Sequence, residues 1–368
     1  MVKHPRRHTW TRVVKVFDYF SGCGGTSKGL ENAGMEIVFA LDSDIDAIAS
    51  YRKNFPKAVT HCGDIGKFKI EGVADLVNSS RRVPLLFTAC APCQPFTKLN
   101  HFQPESDPRR SLLDSFRDQV EHYMPDYVFL ENVPGIQKSK NSDNPVSRLI
   151  ELLDRMKYRY DAQVVLAQDY GVPQHRRRFI LVASKHAPIS IPNPTHGTSK
   201  DLKPFSTVQD FISELPGIEA GETHTEIPLH KSASLSDLNL QRIKATPEGG
   251  SRLDWPDDLV LNCHKNGHRG HTDVYGRMRW NRTSPALTTR CISLSNGRYG
   301  HPTQDRAISL LEAALLQTFP EDYIFEGSMV SKARQIGNAV PVKLAEVFGR
   351  MFLDHYANTR QDSIAKNV

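Results

Sequence analysis

The stretch Val14-Lys-Val-Phe-Asp-Tyr-Phe20 runs directly into Ser21-Gly-Cys-Gly-Gly25, and a helical pattern opens at Ser27. An apolar run, a glycine-rich turn and a helix in that order predict the first βα unit of an open α/β sheet. Glycines let the backbone turn sharply and approach a ligand, and a helix start favours negative charge. The next apolar run, Glu36–Leu41, ends at Asp42. That is about twenty residues after the turn, a position suited to an acid that binds ribose hydroxyls. A third acid, Asp64, follows in Cys62-Gly-Asp-Ile65.

Ser27 occupies the third glycine position of the dinucleotide fingerprint, so a pyrophosphate is not required. The amino-acid end of S-adenosylmethionine suits so short a loop. Apolar runs at Leu85–Ala89, Tyr127–Leu130, Gln163–Ala167 and Phe179–Ala183 predict further strands. Helical patterns fill Ser27–Ala33, Ile45–Asn54, Leu112–His122 and Val146–Met156. Alternation of this kind predicts βαβ units on a parallel sheet. After Ala183 the chain becomes rich in Gly, Pro, His and Ser to about Asn281, with breaker clusters at 246–250 and 266–270. Regular patterns return at Leu310–Thr318 and Val342–His355. The expected organisation is a catalytic domain over 13–186, completed by 331–358, and a smaller irregular domain over 187–330.

Composition narrows the class. The 368 residues suffice for one large and one smaller domain, and 39% hydrophobic with 24% charged residues is globular usage. The net charge of +6 leans weakly toward a polyanionic partner, because 41 acidic residues are mixed among 47 basic ones. The N-terminus lacks the apolar stretch of a secretory signal, and no window approaches a membrane span. Six scattered cysteines are too few for a disulfide framework, so reduced thiols in a cytoplasmic protein are expected.

Two of the strands lead into reactive groups. The run over 83–89 is followed by Pro92-Cys93-Gln94, and Tyr127–Leu130 by Glu131-Asn-Val133. The carboxyl ends of parallel strands are where open α/β folds place their chemistry. A thiol and an acid at one crevice predict covalent catalysis with protonation of the acceptor.

In this order, Asp18-Tyr-Phe-Ser-Gly-Cys-Gly-Gly25, Ala91-Pro-Cys-Gln-Pro-Phe96, Leu130-Glu-Asn-Val-Pro-Gly135 and Asp169-Tyr-Gly-Val-Pro-Gln-His-Arg-Arg-Arg178 resemble motifs of the cytosine-C5 DNA methyltransferases. Leu316-Gln-Thr-Phe-Pro320 and Gln335-Ile-Gly-Asn-Ala-Val-Pro341 resemble the last two motifs, so the likeness covers all but the irregular domain. It implies a doubly wound, Rossmann-like, S-adenosylmethionine-dependent methyltransferase domain with a target-recognition domain. By resemblance, Phe20 would stack on the cofactor adenine, Asp42 would hold the ribose and Asp64 the adenine edge. Gly22, Gly24, Gly25 and Pro92 would border the cofactor, and Asn338 would close its site. Cys93 would be the nucleophile and Glu131 would hold the cytosine ring nitrogen. Arg176 and Arg178 would orient the base and the acid. Asp42 stands where glutamate is more frequent.

The substrate implied is double-stranded DNA with its cytosine flipped out, because the reacting atoms are buried in a duplex. The segment from Gln94 to Ser111, carrying Lys98, Arg109 and Arg110, is expected to close over that nucleotide. A monomer is expected, marking host DNA beside separately encoded restriction or phage-defence proteins. A transfer-RNA methyltransferase and a catalytically silent DNA-binding regulator are the rival readings. Gln94-Pro95-Phe96 favours DNA over the first, and intact Cys93, Glu131 and Arg176 oppose the second. No metal is expected: Cys90 and Cys93 lack a second pair, and Cys263, His264, His268 and His271 lack paired-ligand spacing. Arg177 is expected to be solvated, since alternate strand residues face opposite ways. Arg269, Arg277, Arg279 and Arg282 with Asn266, His268 and His271 are candidates for DNA contact.

Overall fold

Side chains alternate across each strand, and that alternation assigns the core to two faces of one sheet. In β1 (Lys15–Tyr19), Val16 packs with Leu30 and Phe348, whereas Phe17 and Tyr19 pack with Phe116 and Val120 on the other side. The computed structural model describes residues 13–91, 112–136, 144–262, 265 and 272–365.

The sheet, its flanking helices and one short separate strand, β7, follow in chain order: α1 (Gly25–Ala33), β2 (Glu36–Asp42), α2 (Ile45–Asn54), β3 (Val59–Cys62), α3 (Ala74–Ser80), β4 (Leu85–Ala89), α4 (Leu112–Tyr123), β5 (Tyr127–Asn132), α5 (Pro145–Arg155), β6 (Arg159–Leu166), β7 (Gln174–His175) and β8 (Arg177–Ser184). Helix boundaries have local causes. Asp44 caps α2 by accepting from the backbone N–H of Asp46 and Ala47, and Asn144 caps α5 with Pro145 in its first turn. Gly34, at φ 106°, ends α1.

Strand order is β3-β2-β1-β4-β5-β8-β6. The fold is α/β as expected, but the sheet is mixed. β8 runs antiparallel to both β5 and β6, where the sequence alternation predicts parallel units. The link from Leu166 to Arg177 is too short for the helical crossover that parallel neighbours need. β3 and α3 were not among the predicted elements.

Beyond β8, regular structure is sparse: α6 (Gln209–Ile212), α7 (Asp237–Lys244) and β9 (Ser284–Pro285), which pairs with β7. Backbone carbonyls here receive arginine side chains instead of a strand ladder. Arg277 donates to the carbonyls of Thr246, Ile243 and His301 at 2.6, 2.8 and 2.9 Å. Arg306, fully buried, donates to the Ile218 and Ala307 carbonyls and grips Glu312 through two bonds of 2.7 Å.

Then come α8 (Leu310–Leu316), α9 (Met329–Asn338) and α10 (Val342–Ala365). α10 returns to the sheet and packs on α1 so closely that a Cβ on Gly29 would lie 2.3 Å from the Val342 carbonyl oxygen. Leu344, Phe348 and Phe352 are buried against Leu30 and Phe129 there. The chain thus brings residues 329–365 back beside the first glycine turn. Among the described residues no helix is long and apolar enough to cross a membrane.

Candidate active site

The carboxyl ends of β1, β2, β4 and β5 open into one cavity of about 630 Å³. It is bordered by Phe20, Gly22, Gly25, Asp42, Asp64, Glu131, Arg176, Arg178 and Asn338. Residues far apart in sequence converge because the strands that carry them are neighbours and α9 ends opposite them.

One half of the cavity is made by the glycine turn. Gly24 has φ 99°, and a Cβ there would meet Phe55 at 2.5 Å and the Tyr323 hydroxyl at 2.7 Å. Gly24 therefore shapes the turn from behind and does not line the cavity. A Cβ on Gly22, in contrast, would enter open space. Asp42 fixes the turn by accepting from Gly22 N–H at 2.8 Å and from Asp44 N–H at 2.8 Å. Burial raises the Asp42 carboxyl above its ordinary value, opposed by those two N–H groups. Asp64 caps the turn Ile65–Lys67, accepting from Gly66 N–H at 2.9 Å. Below the turn, Ser27 Oγ donates to Asp18 Oδ2 at 2.6 Å and contacts the Tyr51 hydroxyl at 2.6 Å. Asp18 Oδ1 is buried with no hydrogen-bond partner among the described residues, and burial pushes this carboxyl up to about 7.

The other half is built around Glu131, only 3% exposed. Cys90 Sγ donates to its Oε2 at 2.8 Å, and Arg178 Nε lies 2.7 Å from Oε1. The Arg178 contact is an ion pair out of line for a hydrogen bond, so Oε1 has no donor among the described residues. Arg176 borders the cavity but acts at another place. Its guanidinium donates to the carbonyls of Leu287 at 2.8 Å, Gly337 at 3.3 Å and Ala339 at 3.2 Å. It thereby ties two returning segments to the sheet. Arg177 between them is exposed, as the alternation predicts.

Several wall residues carry no motif and were missed from sequence: Cys90, Leu287, Thr288, Thr289 and Arg334. Arg334 pairs with Asp44 at 2.7 Å and spans the cavity rim between α9 and the end of β2. In the sequence Cys90 stands out only as the first half of a Cys-x-x-Cys pair with Cys93. The register offers the signal, because Ala89 pairs with Leu130 and the next residues are level with one another. Pro92, Cys93 and the segment with Lys98, Arg109 and Arg110 lie outside the described residues. So do Cys263, His264, Asn266, His268, Arg269 and His271. Of the arginines expected near DNA, Arg277 is buried and committed to backbone carbonyls, which corrects its reading as a contact residue. Arg279 and Arg282 are exposed.

The chain is similar to known proteins over most of its length. The family model for the C-5 cytosine-specific DNA methylases matches residues 14–353. The Type II methylase M.HgiDII of Herpetosiphon aurantiacus is 36% identical over 348 residues, covering 92% of this chain and 94% of that protein. The Type II methyltransferase M1.HphI of Haemophilus parahaemolyticus is 28% identical, covering 93% of this chain and 87% of its own length. A crystal structure described as a prophage-encoded DNA modification methyltransferase of E. coli superposes with a TM-score of 0.71 at 22% identity. It covers 93% of this chain and 99% of that one, and speaks for the fold alone. A family match from the first strand to the last helix, with the acid and the glycine turn on one cavity, places this chain among the C-5 cytosine-specific DNA methylases as a DNA (cytosine-5-)-methyltransferase.

Proposed function

We propose that this enzyme transfers a methyl group from S-adenosylmethionine to carbon 5 of one flipped-out cytosine in a short duplex DNA sequence. The observation that carries the reading is Glu131: a nearly buried acid with one oxygen lacking a donor, on the cavity that the glycine turn and Asp42 also border. Arg178 and Cys90 offset the burial of this acid, and its place on the cavity wall lets it meet a polar ligand group as well.

The residues present suit the cofactor. Asp42 offers a half-buried carboxylate, the space beside Gly22 is free of side chains, and Phe20 and Asp64 flank it. Asn338 would close this half from α9, and Pro92 would border it. When bound, S-adenosylmethionine supplies an electrophilic methyl group on a sulfonium.

The protein groups make the cytosine reactive. The Cys93 thiolate adds to carbon 6, forming a carbon–sulfur bond and turning carbon 5 into an enamine-like nucleophile. Charge moves toward ring nitrogen 3, where the Glu131 carboxyl shares a proton. Arg178 holds the acid in place, and Arg176 anchors the segments that face it. After methylation a base removes the carbon-5 proton and the carbon–sulfur bond breaks. Extracting the base from the duplex costs a few kcal/mol, offset by contacts in the cavity.

In organisation, we read residues 13–186 with 331–358 as the catalytic domain and 187–330 as the target-recognition domain. The likeness to proteins named Type II methylases supports a place beside a separately encoded nuclease, in the cytoplasm, protecting host DNA. Labelled S-adenosylmethionine incubated with unmethylated duplex DNA and, separately, with transfer RNA tests the reading. Label in DNA is expected; label in transfer RNA alone overturns it. No covalent complex on 5-fluorocytosine duplex DNA containing the site, with cofactor present, would instead favour the silent regulator.

A further inference from the structure

The cavity wall contains a second thiol beside the acid, at a place that the family resemblance does not assign. Cys90 follows β4, the strand that pairs with β5, and Ala89 is in register with Leu130. The side chain of Cys90 therefore lies level with Glu131 and reaches its Oε2 at 2.8 Å. One residue further on, Asn132 Nδ2 donates to the Ala91 carbonyl at 3.2 Å. Two bonds in succession join the ends of β4 and β5, and Cys93 is only two residues beyond Ala91.

We propose that Cys90 is a positioning residue for Glu131, its thiol holding Oε2 while Arg178 stands at Oε1. The inference rests on the reading of Glu131 as the acid for the cytosine ring. A carboxylate with a guanidinium on one oxygen alone can still turn about its last torsion, which is broad and soft. A donor on the second oxygen fixes the plane of the carboxylate. The carboxyl group is then held in one orientation at the cavity wall before the base arrives. Cys90 also lines that cavity, so the thiol is not a filler facing only the apolar core. A thiol is a weak donor, which sets the effect at the lower end for bonds to charged groups.

The experiment measures single-turnover methyl transfer to unmethylated genomic DNA from a host lacking cytosine methylation. Wild type is compared with Cys90→Ala, Cys90→Val, Cys90→Ser and Glu131→Gln, and with Cys90→Ala in the Glu131→Gln background. Removing the donor with alanine or valine is expected to lower the rate about tenfold, equivalent to about 1.4 kcal/mol of barrier. Affinity for cofactor and DNA should change by less than about twofold, because a residue that acts through Glu131 affects the reacting step more than binding. Serine, which keeps a donor, should restore most of the rate. In the Glu131→Gln background, Cys90→Ala should add almost nothing, as expected for residues that act as one unit. Valine retains bulk, so its agreement with alanine separates the lost donor from lost packing. A wild-type rate in Cys90→Ala overturns the inference. So does serine as slow as alanine, or a full additional loss in the double variant. If Glu131→Gln itself keeps the wild-type rate, the reading of the acid falls first and takes this inference with it.

Discussion

In the seven-stranded sheet the backbone bonds to itself, and the side chains that matter hang from the ends of strands. Between residues 187 and 309, arginine side chains take over part of that task, reaching carbonyls that no ladder partner reaches. The sheet carries few buried charges below its rim, Asp18 being the clearest. The irregular region holds Arg306 and Glu312 as a buried pair and Arg277 among backbone carbonyls. Regular pairing fixes a cavity whose position follows from topology. Irregular chain held by arginines leaves the surface sequence less constrained by the fold, which suits the target-recognition role proposed for this region. The two regions meet at Arg176, the residue just before β8, whose bonds go to Leu287 and to Gly337 and Ala339.

The contrast is sharpest at Arg306. Arg306→Ala leaves Glu312 buried without its partner and should destabilise the chain by about 3–5 kcal/mol in denaturant unfolding. Replacing both by apolar residues of similar volume should cost far less. Equal losses in the single and double variants would contradict the view that this pair is a means of satisfying buried groups.

Next in size is a pH effect under the glycine turn. The folded-state carboxyl of Asp18, at about 7, lies above its unfolded value. Its contribution to stability is therefore fully present at low pH and lost as pH rises through about 7. Between about pH 4 and 7 the wild type should lose roughly 2–4 kcal/mol relative to Asp18→Asn, with a plateau above. Parallel pH profiles of the two unfolding midpoints would remove Asp18 as a strained group.

Asp42→Ala removes the carboxylate that faces the cofactor half and holds Gly22 and Asp44. Cofactor affinity by calorimetry should fall roughly 10–100-fold, the range for a lost bond to a charged group. The smallest effect separates the two faces of β8. Arg177→Ala should leave methyl transfer within about twofold of wild type, since exposed substitutions away from a site are near neutral. Arg178→Ala should slow it clearly. Similar rates for the two would break the assignment of Glu131 and Arg178 to one unit.

Much of this arrangement was legible in the residues. The α2 bounds, Ile45–Asn54, and β4, Leu85–Ala89, coincide with the expected ones because apolar pattern and caps agree there. β3 escaped notice because Val-Thr-His-Cys is an edge strand with mostly exposed side chains and lacks a buried face. The reversed direction of β8 has no signature in its own apolar run; only the shortness of the link from β6 records it. α9 was hidden by its polar content, since buried Gln335 is held by Ser50 and the Glu326 carbonyl instead of by apolar packing. Phe20, Asp42 and Glu131 sit at strand ends, where sequence and topology point the same way. Thr288 and Thr289 reach the cavity only through the irregular region, whose path no period describes.

The central claim is tested most directly in a host free of cytosine methylation, by expressing wild type and Cys93→Ser and mapping 5-methylcytosine across the genome. Wild type should modify one short sequence, and the serine variant should leave that sequence unmodified. Modification by the serine variant at the wild-type level would contradict the account, as would a wild-type enzyme that leaves the genome bare.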